Sequence, residues 1–191
     1  MYKSSESKTC YDIFSMINDR QIEALMLHDQ MADYFGFLGY SGYKRMHEYQ
    51  YFSESKAHRD TKKYFMEHHN MVLKESDIDN PRFIPTEWYG RERKEANDSV
   101  KLKAVKEGIS AYHTWEKETL KLYEECAKML LDGGHIVDYE YARCLIKDVC
   151  CELKEIEKIV LNLIGVDYDM VYILQSQRMI HEKYKKKMEK M

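Results

Sequence analysis

A chain of 191 residues is long enough for one domain with a real core, and a formal charge of −3 gives no reason to expect a nucleic acid or an anionic membrane as partner. Scarce Gly and Pro beside abundant Met and Tyr describe a mostly helical protein with an adaptable, partly polar interior. No apolar run approaches the ~18 residues of a membrane-spanning helix, and the polar stretch Met1 to Cys10 lacks the apolar centre of a signal peptide, so a soluble, cytoplasmic protein is expected. The five cysteines, Cys10, Cys126, Cys144, Cys150 and Cys151, are odd in number and match no zinc-motif spacing, which reads as reduced, mostly buried thiols.

A first helix is expected from about Tyr11 to Phe37, with Phe14, Ile17, Ala24, His28, Met31, Phe35 and Leu38 on one seam. Gly36, Gly39 and Gly42 favour a turn after it. A second helix, about Tyr43 to Val72, carries Tyr43, His47, Tyr51, Glu54, His58, Phe65 and Val72, and its middle from Ser53 to Lys63 has almost no apolar residue but Ala57. Roughly 25 pattern-poor residues follow, from about Lys74 to Asp98. Pro81 and Pro85 prevent regular helix there, and Ile84, Trp88 and Tyr89 are available to dock the segment on the rest of the protein. A connection this long inside a compact domain signals a crossing of the whole bundle.

Asp98-Ser99 offers the start of a third helix, which runs to about Leu131 along Val105, Ile109, Tyr112, Glu116, Leu120, Tyr123, Ala127 and Leu130. After the Asp132-Gly133-Gly134 turn, a fourth helix, about His135 to Ile164, shows Leu145, Val149, Glu152, Ile156, Val160 and Leu163, and Gly165 ends it. A fifth helix from about Tyr168 to Lys190 carries Val171, Leu174, Met179 and Tyr184 and ends in a Lys-rich tail whose cations suit a helix C-terminus. With no repeat or low-complexity tract, residues 1–191 read as one all-α domain: a four-helix bundle over about 11–164, with one long crossover between helices 2 and 3, and an added C-terminal helix over about 168–190.

Several polar residues fall on seams that otherwise point inward: His28, Glu54, His58, Glu116, Asp148 and Glu152. Buried carboxylates are costly unless paired or bound to a cation. If helices 2 and 3 run parallel, as a crossover requires, all six lie within a slab of roughly 9 Å at 1.5 Å rise per residue. Carboxylates with an imidazole on one face suit iron, manganese or zinc, and several carboxylates can bridge two such ions. His47, His68 and His69 have no second acid at good spacing and read as structural or exposed.

At these residues the chain resembles the ferritin-like superfamily of ferritins, bacterioferritins and rubrerythrins. That family's pattern is a Glu on helices 1 and 3 and Glu-x-x-His on helices 2 and 4. Here helix 3 offers Glu116, helix 2 Glu54-x-x-x-His58, helix 4 Asp148-x-x-x-Glu152, and helix 1 His28. The segment Gly39, Gly42, Tyr43, Met46, His47, Glu48 is locally similar to the mini-ferritins, although Phe35, Lys62 and Met66 stand where that family's inter-subunit ligands would be. The resemblance implies a bundle-core site for one or two metal ions, iron first and manganese or zinc as alternatives. It also implies a homo-oligomer of at least two copies and, for an active protein, oxidation of ferrous iron or activation of dioxygen with Tyr51 or Tyr112 in electron transfer. The competing expectation is a non-enzymatic interaction or assembly protein that kept the scaffold and lost its metal.

Overall fold

The computed structural model describes residues 8–74 and 90–191. Among the described residues five α-helices carry the chain: α1 (Cys10–Leu38), α2 (Ser41–His69), α3 (Asp98–Asp132), α4 (Ile136–Gly165) and α5 (Met170–Met188), with a 3₁₀ turn at Arg93–Glu95. Among the described residues there is no strand, and no helix is long and apolar enough to cross a membrane.

The helix ends follow from local chemistry. Thr9 and Asp12 form a reciprocal capping box at the start of α1, and Gly39 ends it at φ 91°, a conformation that costs Gly nothing. Asn97, one residue before the expected Asp98-Ser99, caps α3 by accepting from the Val100 N–H. Asp169 does the same for α5 at Tyr172. The start of α2 has no cap of its own. Its free donors are met from α5, where Gln177 Oε1 accepts from the N–H groups of Gly42 and Tyr43 at 2.9 and 3.1 Å.

α1 packs on α2 and α3 on α4 as two antiparallel hairpins. Arg20 donates to Thr119 and the Trp115 carbonyl, while Phe35 lies under Gly108, so α1 and α3 are antiparallel. It follows that α2 and α3 run parallel, and Gln50 donates to the Tyr112 hydroxyl across them at 2.9 Å. The connection must therefore travel the length of the bundle. It leaves from Leu73, buried against the core half of Phe14, Phe65 and Leu130, and returns at Ala96, buried in the half of Phe35, Tyr43 and Tyr112. Its middle, with Pro81, Ile84, Pro85, Trp88 and Tyr89, lies outside the described residues.

Two seams differ from expectation. On α2, which ends at His69 and not at the expected Val72, the inward positions are Tyr43, His47, Gln50, Thr61 and Phe65, whereas Tyr51 is exposed and Val72 lies exposed beyond the helix. The run from Ser53 to Lys63 has too few apolar residues to hold the phase, and one step of four where three was needed turns the seam outward. On α5, Val171, Leu174 and Met179 face out, and Ile173, Ser176, Gln177 and Tyr184 are buried. The thiols are also less enclosed than expected: Cys126 is buried, but Cys144 and Cys151 are exposed and Cys10 and Cys150 half-buried. Between the two apolar core halves lies a polar layer, and that layer positions the site.

Candidate metal centre

The polar layer is built from one stretch of each bundle helix. α1 supplies Gln21, α2 Gln50 and Glu54, α3 Glu116 and α4 Glu152, with Asp148 one turn away on the exposed face of α4. A cavity of about 330 Å³ opens here, bordered by Gln21, Gln50, Ser53, Glu54, Ala57, Tyr123, Asp148 and Glu152. Glu155 and Lys187 close one side, where Lys187 Nζ contacts both Glu155 oxygens at 2.9 Å and Tyr184 donates to Glu155 at the same distance.

Electrostatically the acids form one group. Glu116 is only 3% exposed, and the carboxyl groups of Glu54 and Glu152 are enclosed although their residues are half-buried. Burial, with the charge of Asp148 behind it, pushes Glu54 up to about 7. Burial and then Glu54 raise Glu116 to about 8, against the opposing pull of Arg20 and a hydrogen bond from Tyr112. Glu152 is raised well above the carboxylate range by burial and by the charges of Glu54, Glu116 and Asp148, with a hydrogen bond from Gln50 working the other way. Arg20, which opposes the rise of Glu116, sits over Trp115 at 3.2 Å and donates to Thr119.

Two further groups belong to the layer that sequence reasoning missed. Gln21 Oε1 and Gln50 Oε1 are buried acceptors with no hydrogen-bond partner, although each amide nitrogen is used, by Thr61 and Tyr112. Orphaned buried acceptors are uncommon and call for an explanation. The signal available in the sequence was the seam itself, since Gln50 lies one helical turn before Glu54.

The structure places the six expected residues differently. Glu54, Glu116, Asp148 and Glu152 form one electrostatic group, whereas His28 pairs with His47 and His58 does not border the cavity. His28 is fully buried, its Nδ1 2.9 Å from Nδ1 of His47, with both rings edge-on to Tyr112. Burial alone drives His28 down to about 3, and burial together with His28 keeps His47 neutral as well. His58 is half-buried on α2 and is not among the residues bordering the cavity. The seam residue after Glu54 is Ala57, so at the place where the ferritin-like pattern carries an imidazole this chain has a methyl group.

Comparison with solved structures places the architecture. A novel open pore ferritin from the hyperthermophilic archaeon Archaeoglobus fulgidus superimposes at a TM-score of 0.72 with 17% identity, over 93% of this chain and 98% of that one. A closed form engineered from the Archaeoglobus fulgidus ferritin gives 0.71 and 17% over 93% and 97%, and a humanized archaeal ferritin 0.71 and 15% over 90% and 94%. No protein-family model matches the chain, and no curated protein does. The chain has a ferritin-like four-helix bundle fold with an added C-terminal helix.

Proposed function

We propose that the polar layer binds one or two metal ions, iron or manganese, through Glu54, Glu116, Asp148 and Glu152. The observation that carries this reading is the combination of three enclosed carboxyls raised by burial and then by neighbouring acids with two buried amide oxygens that have no partner. A cation would satisfy both at once, and the orphaned Gln21 and Gln50 oxygens extend the donor set. The donors are all oxygen, which suits manganese or iron better than zinc, whose sites favour nitrogen and sulfur. The fold shared with archaeal ferritins favours iron. When bound, ferrous iron would supply a one-electron donor, giving its electron to dioxygen as the acceptor.

The protein's own residues have defined parts in this reading. Glu152 and Glu116 hold the deep side, Glu54 and Asp148 the side toward solvent, and Tyr112 links Gln50 to Glu116. Tyr112 is the tyrosine placed to exchange an electron or proton with the site, since Tyr51 faces outward. His28 and His58 remain further candidates. Five free thiols fit a reducing compartment such as the cytoplasm. Exposed Leu161, Ile164, Val171 and Leu174 near the α4–α5 turn favour contact between copies of the chain.

Anaerobic titration of the apoprotein with ferrous iron and with manganese tests the proposal. Saturable binding of either, lost in Glu54→Ala/Glu116→Ala, is the expected result. Absence of binding in the wild type overturns it and leaves the assembly scaffold as the better reading.

A further inference from the structure

At the end of the bundle where α1 begins, α2 ends and α4 begins, a thiol, an imidazole and a carboxylate converge. Cys10 Sγ lies 3.3 Å from Asp138 Oδ2 and 3.8 Å from His69 Nε2, and His69 Nε2 lies 3.0 Å from Asp138 Oδ1. One donor atom from each residue falls within 4.8 Å of the other two. A tetrahedral ion with bonds of about 2.0–2.3 Å holds its ligand atoms roughly 3.4–3.6 Å apart. The thiol and the imidazole meet Asp138 at such separations, each on a different carboxylate oxygen, so a small side-chain shift would bring three donors to the corners of such a polyhedron. His135, at the start of α4, brings Nδ1 to 3.8 Å from Asp138 Oδ2, lies outside the close trio, and would complete the coordination by a side-chain shift.

The groups around the triad hold it in place. Tyr64 donates to Asp138 Oδ1 at 2.9 Å, the kind of partner that orients a ligating carboxylate. The His69 ring stacks on Phe65 at 4.5 Å with an interplanar angle of 22°. Hydrogen bonding alone gives the thiol little to do, because a thiol is a weak donor and Asp138 is already served by Tyr64 and His69.

We propose that Cys10, His69 and Asp138, with His135 as the fourth donor, form a zinc-class divalent-cation site that staples the N-terminus of α1 to the end of α2 and the start of α4. Thiolate, imidazole and carboxylate from three helix ends are a donor set that zinc favours and hard cations do not. The site is separate from the all-oxygen layer of the core. Its place explains its use: Leu73 begins the crossover beside it, with Lys74 N–H donating to Tyr11, so a bound ion would fix the bundle end from which that segment departs. The separations of 59 and 128 residues between Cys10 and its two partners hide the site from any motif scan.

Titration of the full-length apoprotein with cobalt(II), followed by displacement with zinc, tests the proposal. Expected are a thiolate-to-cobalt charge-transfer absorption saturating at one equivalent, its loss in Cys10→Ser, and a zinc affinity lowered by more than about 100-fold in that variant. Zinc should also raise the melting temperature of the wild type and not of Cys10→Ser. Glu54→Ala/Glu116→Ala must keep all three signatures, which separates failure here from failure of the core site. No charge-transfer band in the wild type, or an unchanged band in Cys10→Ser, overturns the proposal. Should Cys10→Ser not fold, His69→Gln keeps the thiol, and zinc affinity equal to wild type in that variant overturns it as well.

Discussion

Glu116 illustrates what single residues reveal in this protein. It is an acid on an otherwise apolar seam, almost completely buried, and raised to about 8 by lost hydration and then by Glu54. Glu54, Glu116 and Glu152 all have folded-state pKa values above their unfolded ones, so over the window between the two the native state binds more protons and apo stability falls as pH rises. His28 and His47 are shifted down and act oppositely below about pH 6.5, where the unfolded state binds the extra protons. The carboxyl effect is thus isolated on the alkaline side. The melting temperature of the apoprotein is expected to fall between about pH 6.5 and 8.5, and Glu54→Gln/Glu116→Gln should flatten that slope; a slope unchanged in the variant would contradict the shared electrostatics. At fixed pH near 8, Glu54→Ala/Glu116→Ala should melt at the same or a higher temperature than the wild-type apoprotein, because it removes two members of a repelling, desolvated group. Lower melting would mean that these side chains make ordinary structural hydrogen bonds.

At the scale of elements, the docking of α5 on α2 is decided by one glycine and one glutamine. A Cβ on Gly42 would stand 2.5 Å from the Gln177 carbonyl oxygen, a backbone atom that cannot swing aside. Gly42→Ala should therefore separate α5 from α2 and destabilise the protein by roughly 1–3 kcal/mol, the usual cost of overpacking. Gln177→Ala should cost about 1–3 kcal/mol by another route, leaving the N–H groups of Gly42 and Tyr43 without their acceptor. Urea denaturation of both variants checks the magnitudes. A double variant whose loss is smaller than the sum of the two singles would show that both act through the same joint.

At the scale of the whole molecule, two apolar core halves enclose a polar layer, and the long connection joins one end of the bundle to the other. If copies of the chain associate through the α4–α5 corner, Leu161→Glu/Leu174→Glu should shift the species seen in analytical ultracentrifugation toward the monomer while leaving the helical circular dichroism unchanged. An unaltered mass distribution would place any interface elsewhere.

How much of this was legible in the chain depended on which signals are local. Helix number, hairpin pairing and the parallel run of α2 and α3 could be read from caps, glycine turns and the one long connection, because short turns force neighbours to be antiparallel and a long one permits a crossing. Counting along the seams put Glu54, Glu116 and Glu152 at one depth, whereas Asp148, expected on the inward seam of α4, stands on its exposed face. The sequence could not orient α2 between Ser53 and Lys63, where apolar residues are too sparse to hold a phase, so it chose His58 in place of Ala57 and overlooked Gln50. Nor could it show the inward face of α5, which depends on Gly42 and Gln177 meeting across 135 residues. Pairing of His28 with His47, and the meeting of Cys10, His69 and Asp138, were decided by tertiary structure alone, since side-chain convergence from separate helices leaves no periodic trace along any one of them.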